Sequence, residues 1–197
     1  EHMNGLQMAG IANITASKLN GVQIALCNYA TQARGLQIGL VNYYKENMKG
    51  FQLGLVNANP DTRVQMMVYG GNATPANIGV RFKNQLFYTI LGIGSMYQGL
   101  NDKFSASASY RAGLSFTLYK GLSISGDLGY QHIEAFDNKD EVIPKRLYAL
   151  QARANLEYQF TRKFGIFATG GYGLTRFYNK SSNYDKGAII EAGIVLF

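Results

Sequence analysis

Tryptophan is absent from the 197 residues, cysteine occurs once, histidine twice and proline three times. A lone Cys27 excludes a disulfide framework or a thiolate metal site built within one chain. It occupies an apolar slot of a repeat and is expected to be a small buried filler. No run approaches the roughly 18 apolar residues of a spanning helix, which excludes a helical membrane protein but not a barrel, whose strands hide half their residues in a lumen. Acidic residues number 12 against 19 basic, a formal charge of +7. The basic residues are spread over turns and strand ends instead of clustering with aromatics, so no nucleic-acid partner is expected and a solvated or lipid-headgroup role is the plainer reading. No secretory signal is seen, and the chain opens inside a repeat at Glu1-His2-Met3-Asn4-Gly5, as a processed or truncated piece of a longer precursor would.

What the chain has in plenty is Tyr, Phe and alternation. Over residues 104–118, Phe104, Ala108, Tyr110, Leu114, Phe116 and Leu118 share one face, while Ser105, Ser107, Ser109, Arg111 and Ser115 share the other. Leu122, Ile124, Leu128 and Tyr130 alternate with Ser123, Ser125, Asp127 and Gln131. Tyr148, Leu150, Leu156, Tyr158 and Phe160 alternate with Gln151, Arg153, Asn155, Glu157 and Gln159. Successive side chains of a strand point to opposite faces, so period two held this long means a sheet with one oily and one polar face.

Residues 4–59 hold an internal repeat. Gly5-Leu-Gln-Met8, Gly21-Val-Gln-Ile24, Gly35-Leu-Gln-Ile38 and Gly50-Phe-Gln-Leu53 recur at spacings of 16, 14 and 15, and the units close on Asn13, Asn28, Asn42 and Asn57. A short apolar strand and a polar turn of this length cannot bury their own oily face, and stacked neighbours would bury a continuous core, the logic of a solenoid. Gly and Asn suit tight corners with positive φ. Stacked Gln7, Gln23, Gln37 and Gln52, and stacked Asn13, Asn28, Asn42 and Asn57, are expected to form hydrogen-bonded ladders, a structural reading preferred over a binding role. Seven or eight residues are short for a barrel span of roughly 9–11, so repeats serving as barrel strands rank second. The Gly-Leu-Gln-Ile-Gly-Leu-Val-Asn octad resembles the tandem copies of Gram-negative bacterial surface-repeat proteins. The resemblance implies a C-terminal outer-membrane barrel after the repeats and no chemistry. Gly5–Asn13 departs from the octad by one inserted residue, and Cys27 stands where later copies have Val.

Asn59-Pro60-Asp61 ends the repeats with turn chemistry. Eight strands follow, at about 62–70, 77–83, 87–98, 104–119, 122–136, 147–161, 164–178 and 187–197. Longer and shorter connections alternate, as in bacterial outer-membrane barrels, with both termini on the short-turn side. The expected fold is therefore all-β: a short β-solenoid-like repeat segment (1–60) preceding an eight-stranded antiparallel up-and-down membrane β-barrel (61–197). A soluble lipocalin-like barrel would show the same alternation with its faces reversed. Aromatics toward the ends of the oily face, small polar residues on the other and a terminal Phe197 favour the membrane version. The last strand fits badly, since Glu191 and Phe197 share a parity.

The polar face collects Arg81, Arg111, Asp127, Arg153, Glu157 and Glu191, three charges of each sign. Charges in a narrow interior must pair, so a structural network that locks the lumen is expected, not an ion path. His132 with Ser123 or Ser125 would suit an envelope lipid- or glycan-modifying enzyme, but the serines belong at the opposite strand end, beyond the reach a nucleophile–base pair needs. Asp137, Asp140 and Glu141 with Lys139, Lys145 and Arg146 read as a solvated loop before a calcium site. Gly170-Gly171-Tyr172-Gly173 precedes no helix and is no phosphate loop. No cofactor, metal or catalytic residue is therefore expected. The functional expectation is a non-enzymatic envelope protein in the bacterial outer membrane, contacting outer-membrane lipid and an envelope protein or surface ligand through outer loops or repeats. With the termini on the short-turn side, those repeats would hang in the periplasm.

Overall fold

The computed structural model describes residues 2–95, 97, 100, 104–136, 146–179 and 182–197. It divides into two compact units, residues 1–63 with Phe82–Gln85, and Val64–Arg81 with Leu86–Phe197.

In the first unit β1 (Met3–Met8), β2 (Ala12–Ile24), β3 (Cys27–Ile38), β4 (Val41–Leu53) and β5 (Val56–Ala58) form one parallel sheet in chain order. Each residue pairs with its equivalent one repeat later: Gly5 with Gly21, Gly21 with Gly35, Gly35 with Gly50, and likewise for the glutamines and asparagines. The strands run to 12 or 13 residues, longer than the octad, because the polar spacers are themselves strand. The glycine that opens each octad sits mid-strand as a corner, with φ of 141°, 133° and 144° at Gly21, Gly35 and Gly50. Only glycine fits, since a Cβ on Gly35 would lie 2.0 Å from the Gly21 carbonyl oxygen. Gly35→Ala should therefore cost of order 1–3 kcal/mol from strain at positive φ. The cost should appear as faster amide exchange in β2, β3 and β4.

The expected oily solenoid core is not what forms. Asn13, Thr15, Gln23, Asn28, Gln37, Asn42 and Asn57 are buried with Leu19, Ala30 and Ala33, while Leu6, Leu26, Leu40, Phe51 and Leu53 are exposed. The cause is alternation: in Leu36-Gln37-Ile38 the amide and its neighbours cannot face the same way. Cys27 is likewise exposed, not a buried filler, because it precedes the inward Asn28. These strands contribute nothing to the barrel sheet.

The second unit is a closed barrel of eight antiparallel strands: β6 (Arg63–Gly71), β7 (Ala76–Asn84), β8 (Phe87–Ser95), β9 (Ser105–Tyr119), β10 (Leu122–Ala135), β11 (Arg146–Thr161), β12 (Phe164–Phe177) and β13 (Asn183–Leu196). Closure is made by β13 against β6, from Glu191 opposite Gly71 to Leu196 opposite Met66. Short turns join β7 to β8, β9 to β10 and β11 to β12, with Gln85 and Gly121 in the left-handed region at φ of 44° and 77°. The longer connections stand at the other end. Asp137, Lys139, Asp140, Glu141 and Lys145 of one such connection, and with them the calcium reading, lie outside the described residues.

The barrel is inside out relative to a soluble one. Ser105, Ser107, Ser115, Ser123, Ser125, Gln131, Gln151 and Thr169 are buried inside, while Leu114, Phe116, Ile124, Leu128, Leu156, Ile166 and Ile190 are exposed outside. That polarity is the one of a membrane barrel and overturns the lipocalin-like arrangement. Aromatics gather toward both ends of the outer surface: Tyr130 against Tyr148, with ring centroids 6.1 Å apart, at one end, and Phe160 against Phe164, at 5.8 Å, at the other. The last strand resolves as well. Ile189, Glu191 and Val195 face inward and Ile190 outward, and Phe197 lies past the end of β13 at a φ of 68°, outside the alternation and exposed.

Candidate functional site

Inward parity brings all six expected lumen charges inside the barrel as three pairs, two of which are joined. The Arg81 guanidinium forks onto Glu157, at 2.6 Å from Nη1 and 3.0 Å from Nη2, while its Nε and Nη2 also donate to the Gln65 side-chain oxygen. Arg111 forks onto Asp127 at 2.8 Å through both Nε and Nη2. Arg153 forks onto Glu191 at 3.1 Å through Nε and Nη2. Arg111 Nη1 stands 3.8 Å from Glu191, linking the second pair to the third. Three cations against three anions leave the network neutral, and planar two-point pairing is the geometry in which guanidinium and carboxylate best replace lost hydration.

Neutral residues that charge-based reading passed over complete it. Tyr88 donates its phenol hydrogen to Asp127 at 2.8 Å, and Asn155 donates to Asp127 at 2.8 Å while accepting from Arg111 and Thr169. Asn155 was legible as an inward residue of a strongly alternating strand. Gln65 and Tyr88 lie on β6 and β8, where Val64, Met66 and Met67, or Thr89, Ile90 and Leu91, blur the period of two. The void among Arg81, Tyr88, Arg111, Asn155 and Glu157 is about 10 Å³, smaller than a path for a hydrated ion. Apolar side chains share the lumen with the polar ones: Met67, Tyr69, Ile90, Phe167 and Val195 form one cluster, and Tyr97, Leu100, Ile133, Leu147 and Ala149 another.

At the long-connection end a cavity of about 340 Å³ opens among Asn72, Tyr97, Gln151, Thr175, Asp185 and Lys186. Tyr97 shares a 2.7 Å hydrogen bond with Thr175, and burial pushes its phenol above the usual range, so the hydroxyl stays protonated. The wall offers hydroxyls, amides and one charge of each sign, groups suited to a small polar ligand.

His132 faces outward at the same end. Its Nδ1 is 2.7 Å from the Tyr178 hydroxyl and its Nε2 3.3 Å from Glu134, which also accepts from Arg146 at 3.0 Å. The Tyr178 phenol is pushed up to about 12, by desolvation first and then by the hydrogen bond it shares with Tyr130. Ser123 and Ser125 point into the lumen from the other end of β10. His132 is thus apart from both serines and sits beside Tyr178, which in turn meets Tyr130 and Tyr148. Among the described residues no group of three or more His, Cys, Asp or Glu side chains is placed to hold a metal ion.

In the repeat unit the amides stack as two ladders running in opposite senses. Asn13 donates to Asn28 at 3.1 Å, Asn28 to Asn42 at 2.9 Å and Asn42 to Asn57 at 2.9 Å, toward the C-terminus. Gln52 donates to Gln37 at 2.9 Å, Gln37 to Gln23 at 2.8 Å and Gln23 to Gln7 at 2.9 Å, toward the N-terminus.

No family model matches the chain, and no curated protein matches it. Among solved structures it is similar to the N-terminal β-barrel domain of Pseudomonas aeruginosa OprF, at 16% identity and a TM-score of 0.43 over 68% of this chain and 93% of that one. Neisserial surface protein A is similar at 9% identity and 0.45, over 68% and 92%. A de novo designed transmembrane β-barrel is similar at 14% and 0.42, over 68% and 91%.

Proposed function

We propose that this chain is a non-enzymatic β-barrel protein of the Gram-negative outer membrane, shut to ions, that binds a partner at its outer mouth or through its repeats. The observation that carries the reading is the inverted polarity of the barrel: an apolar exterior with aromatics toward both ends, around a lumen filled by a neutral Arg–carboxylate network. Outer-membrane lipid is then the first partner. The 340 Å³ cavity beside Tyr97 and Lys186 is where a surface ligand would bind. The likeness of the octad to surface-repeat proteins supports an envelope role for the repeats.

Reconstituted into a planar bilayer of phosphatidylethanolamine and phosphatidylglycerol, the protein should insert without conductance steps, because an eight-stranded lumen filled by side chains holds no aqueous path. Insertion is checked separately, as an unboiled species that migrates faster in SDS and shifts on heating. Steady ion-selective steps would overturn the closed-barrel reading. A protein that needs no detergent and shows no heat shift would overturn the membrane reading.

A further inference from the structure

The outward side chains of the repeat unit stack in columns, and the columns sort by chemistry. Just before the glycine corner Asn20 pairs with Arg34 and Arg34 with Lys49, a polar column that ends basic. Just after it Leu36 pairs with Phe51, and two residues on Ile38 pairs with Leu53. At the following bend Leu26, Leu40 and Leu55 stack, held by backbone bonds from Leu40 to Leu26 at 2.8 Å and from Val56 to Leu40 at 2.9 Å. Beyond the next inward asparagines, Tyr29 and Tyr43 stack with ring centroids 5.8 Å apart. Ten large apolar side chains of the repeats are at least 38% exposed, Phe51 reaching 76% and Ile11 75%. Soluble monomers seldom expose a contiguous apolar patch of more than a few hundred Å².

We propose that this face of the repeat unit lies in the hydrocarbon margin of an anionic phospholipid monolayer, with the glycine corner at headgroup level. The inference rests on the membrane reading of the barrel for the presence of a bilayer. Residues 59–62 alone separate β5 from β6 along the chain. Three features choose lipid over a protein partner. The face is apolar and follows the parallel ladder, so its backbone groups are already paired, the condition for contact with hydrocarbon. Its borders are those of an interfacial element: Arg34 and Lys49 complement lipid phosphates, and Tyr29 and Tyr43 suit the polar boundary. Its inward side is polar and self-satisfied, the same inversion the barrel uses against lipid.

The absence of tryptophan makes the test clean. Full-length Phe51→Trp, Asn47→Trp and Leu128→Trp variants are placed in phosphatidylethanolamine–phosphatidylglycerol vesicles with brominated acyl chains. Leu128 lies on the exposed outer face of the barrel and reports on the barrel alone, while Asn47 lies on the polar side of the repeats. The proposal expects Phe51→Trp and Leu128→Trp to emit blue-shifted and lose most of their intensity, and Asn47→Trp to stay unquenched. Replacing phosphatidylglycerol with phosphatidylcholine should weaken quenching at position 51 and leave position 128 unchanged. Quenching at 128 but not at 51 overturns the proposal and leaves the barrel reading standing. A blue-shifted but unquenched position 51 also overturns it, since a second copy or a partner protein would then cover the face. Absence of quenching at both overturns the two readings together.

Discussion

Asp127→Ala should lower the unfolding free energy of the barrel by about 3–5 kcal/mol, the range for breaking a buried ion pair from one side. Arg111 is only 1% exposed, and both hydrogen bonds of its fork end on the Asp127 carboxylate. Removing that carboxylate leaves a buried guanidinium with, among the described residues, only Asn155 at hydrogen-bond distance and Glu191 at 3.8 Å. It also strips Tyr88 and Asn155 of the acceptor they share. The measurement is the urea midpoint of the lipid-embedded protein, supported by the temperature at which the fast-migrating SDS species shifts. Asp127→Asn keeps an acceptor and should fall between wild type and alanine. The double variant Arg111→Met/Asp127→Leu should recover much of the loss, because a filled apolar lumen desolvates nothing. An Asp127→Ala midpoint equal to wild type would show that the network contributes nothing to stability.

That network shows which parts of the fold were legible in sequence. From β9 to β11 each strand is wet on one side and oily on the other, so parity alone assigned Arg111, Asp127, Arg153 and Glu157 to the interior. Which cation meets which anion was not legible. Arg81 and Glu157 lie 76 positions apart and meet only because the barrel closes, so their pairing depends on register across the whole wall. Phe197 escaped parity for a local reason, since one left-handed residue ends the alternation. Cys27 and the octad leucines failed differently. Their spacing specifies a stack, but it does not specify an oily core, since Leu36-Gln37-Ile38 can put either its amide or its aliphatics inside. Register decides the choice. In a parallel in-register stack each amide meets its own copy at hydrogen-bond distance, so a column of Gln or Asn satisfies itself and can be buried without partners from elsewhere.

The same inversion predicts that the repeat unit responds to mutation in the reverse of the usual order. Asn42 is wholly buried; it accepts from Asn28 at 2.9 Å and donates to the Leu53 carbonyl at 3.0 Å and to Asn57 at 2.9 Å. Asn42→Leu adds apolar volume but takes the donor from the Asn57 side-chain oxygen and one of the two hydrogen bonds that the Leu53 carbonyl accepts, the Gly39 N–H remaining at 3.0 Å. A buried group left without its partner costs about 1–3 kcal/mol, which the Asn57 oxygen alone would contribute. Overpacking adds to this, because the column spacing is set by backbone pairing and cannot widen at one rung. Leu40→Ser, on the exposed bend, removes a large apolar side chain from a position that packs against nothing inward and should change folding stability by less than about 0.5 kcal/mol. Amide hydrogen exchange over β3, β4 and β5 reads both variants locally. Asn42→Leu should speed exchange at the rungs on either side of position 42, and Leu40→Ser should leave their protection intact. The opposite ranking would mean that the aliphatic columns face a core and that the amide ladders decorate the surface, which would also remove the basis for a lipid-facing repeat unit.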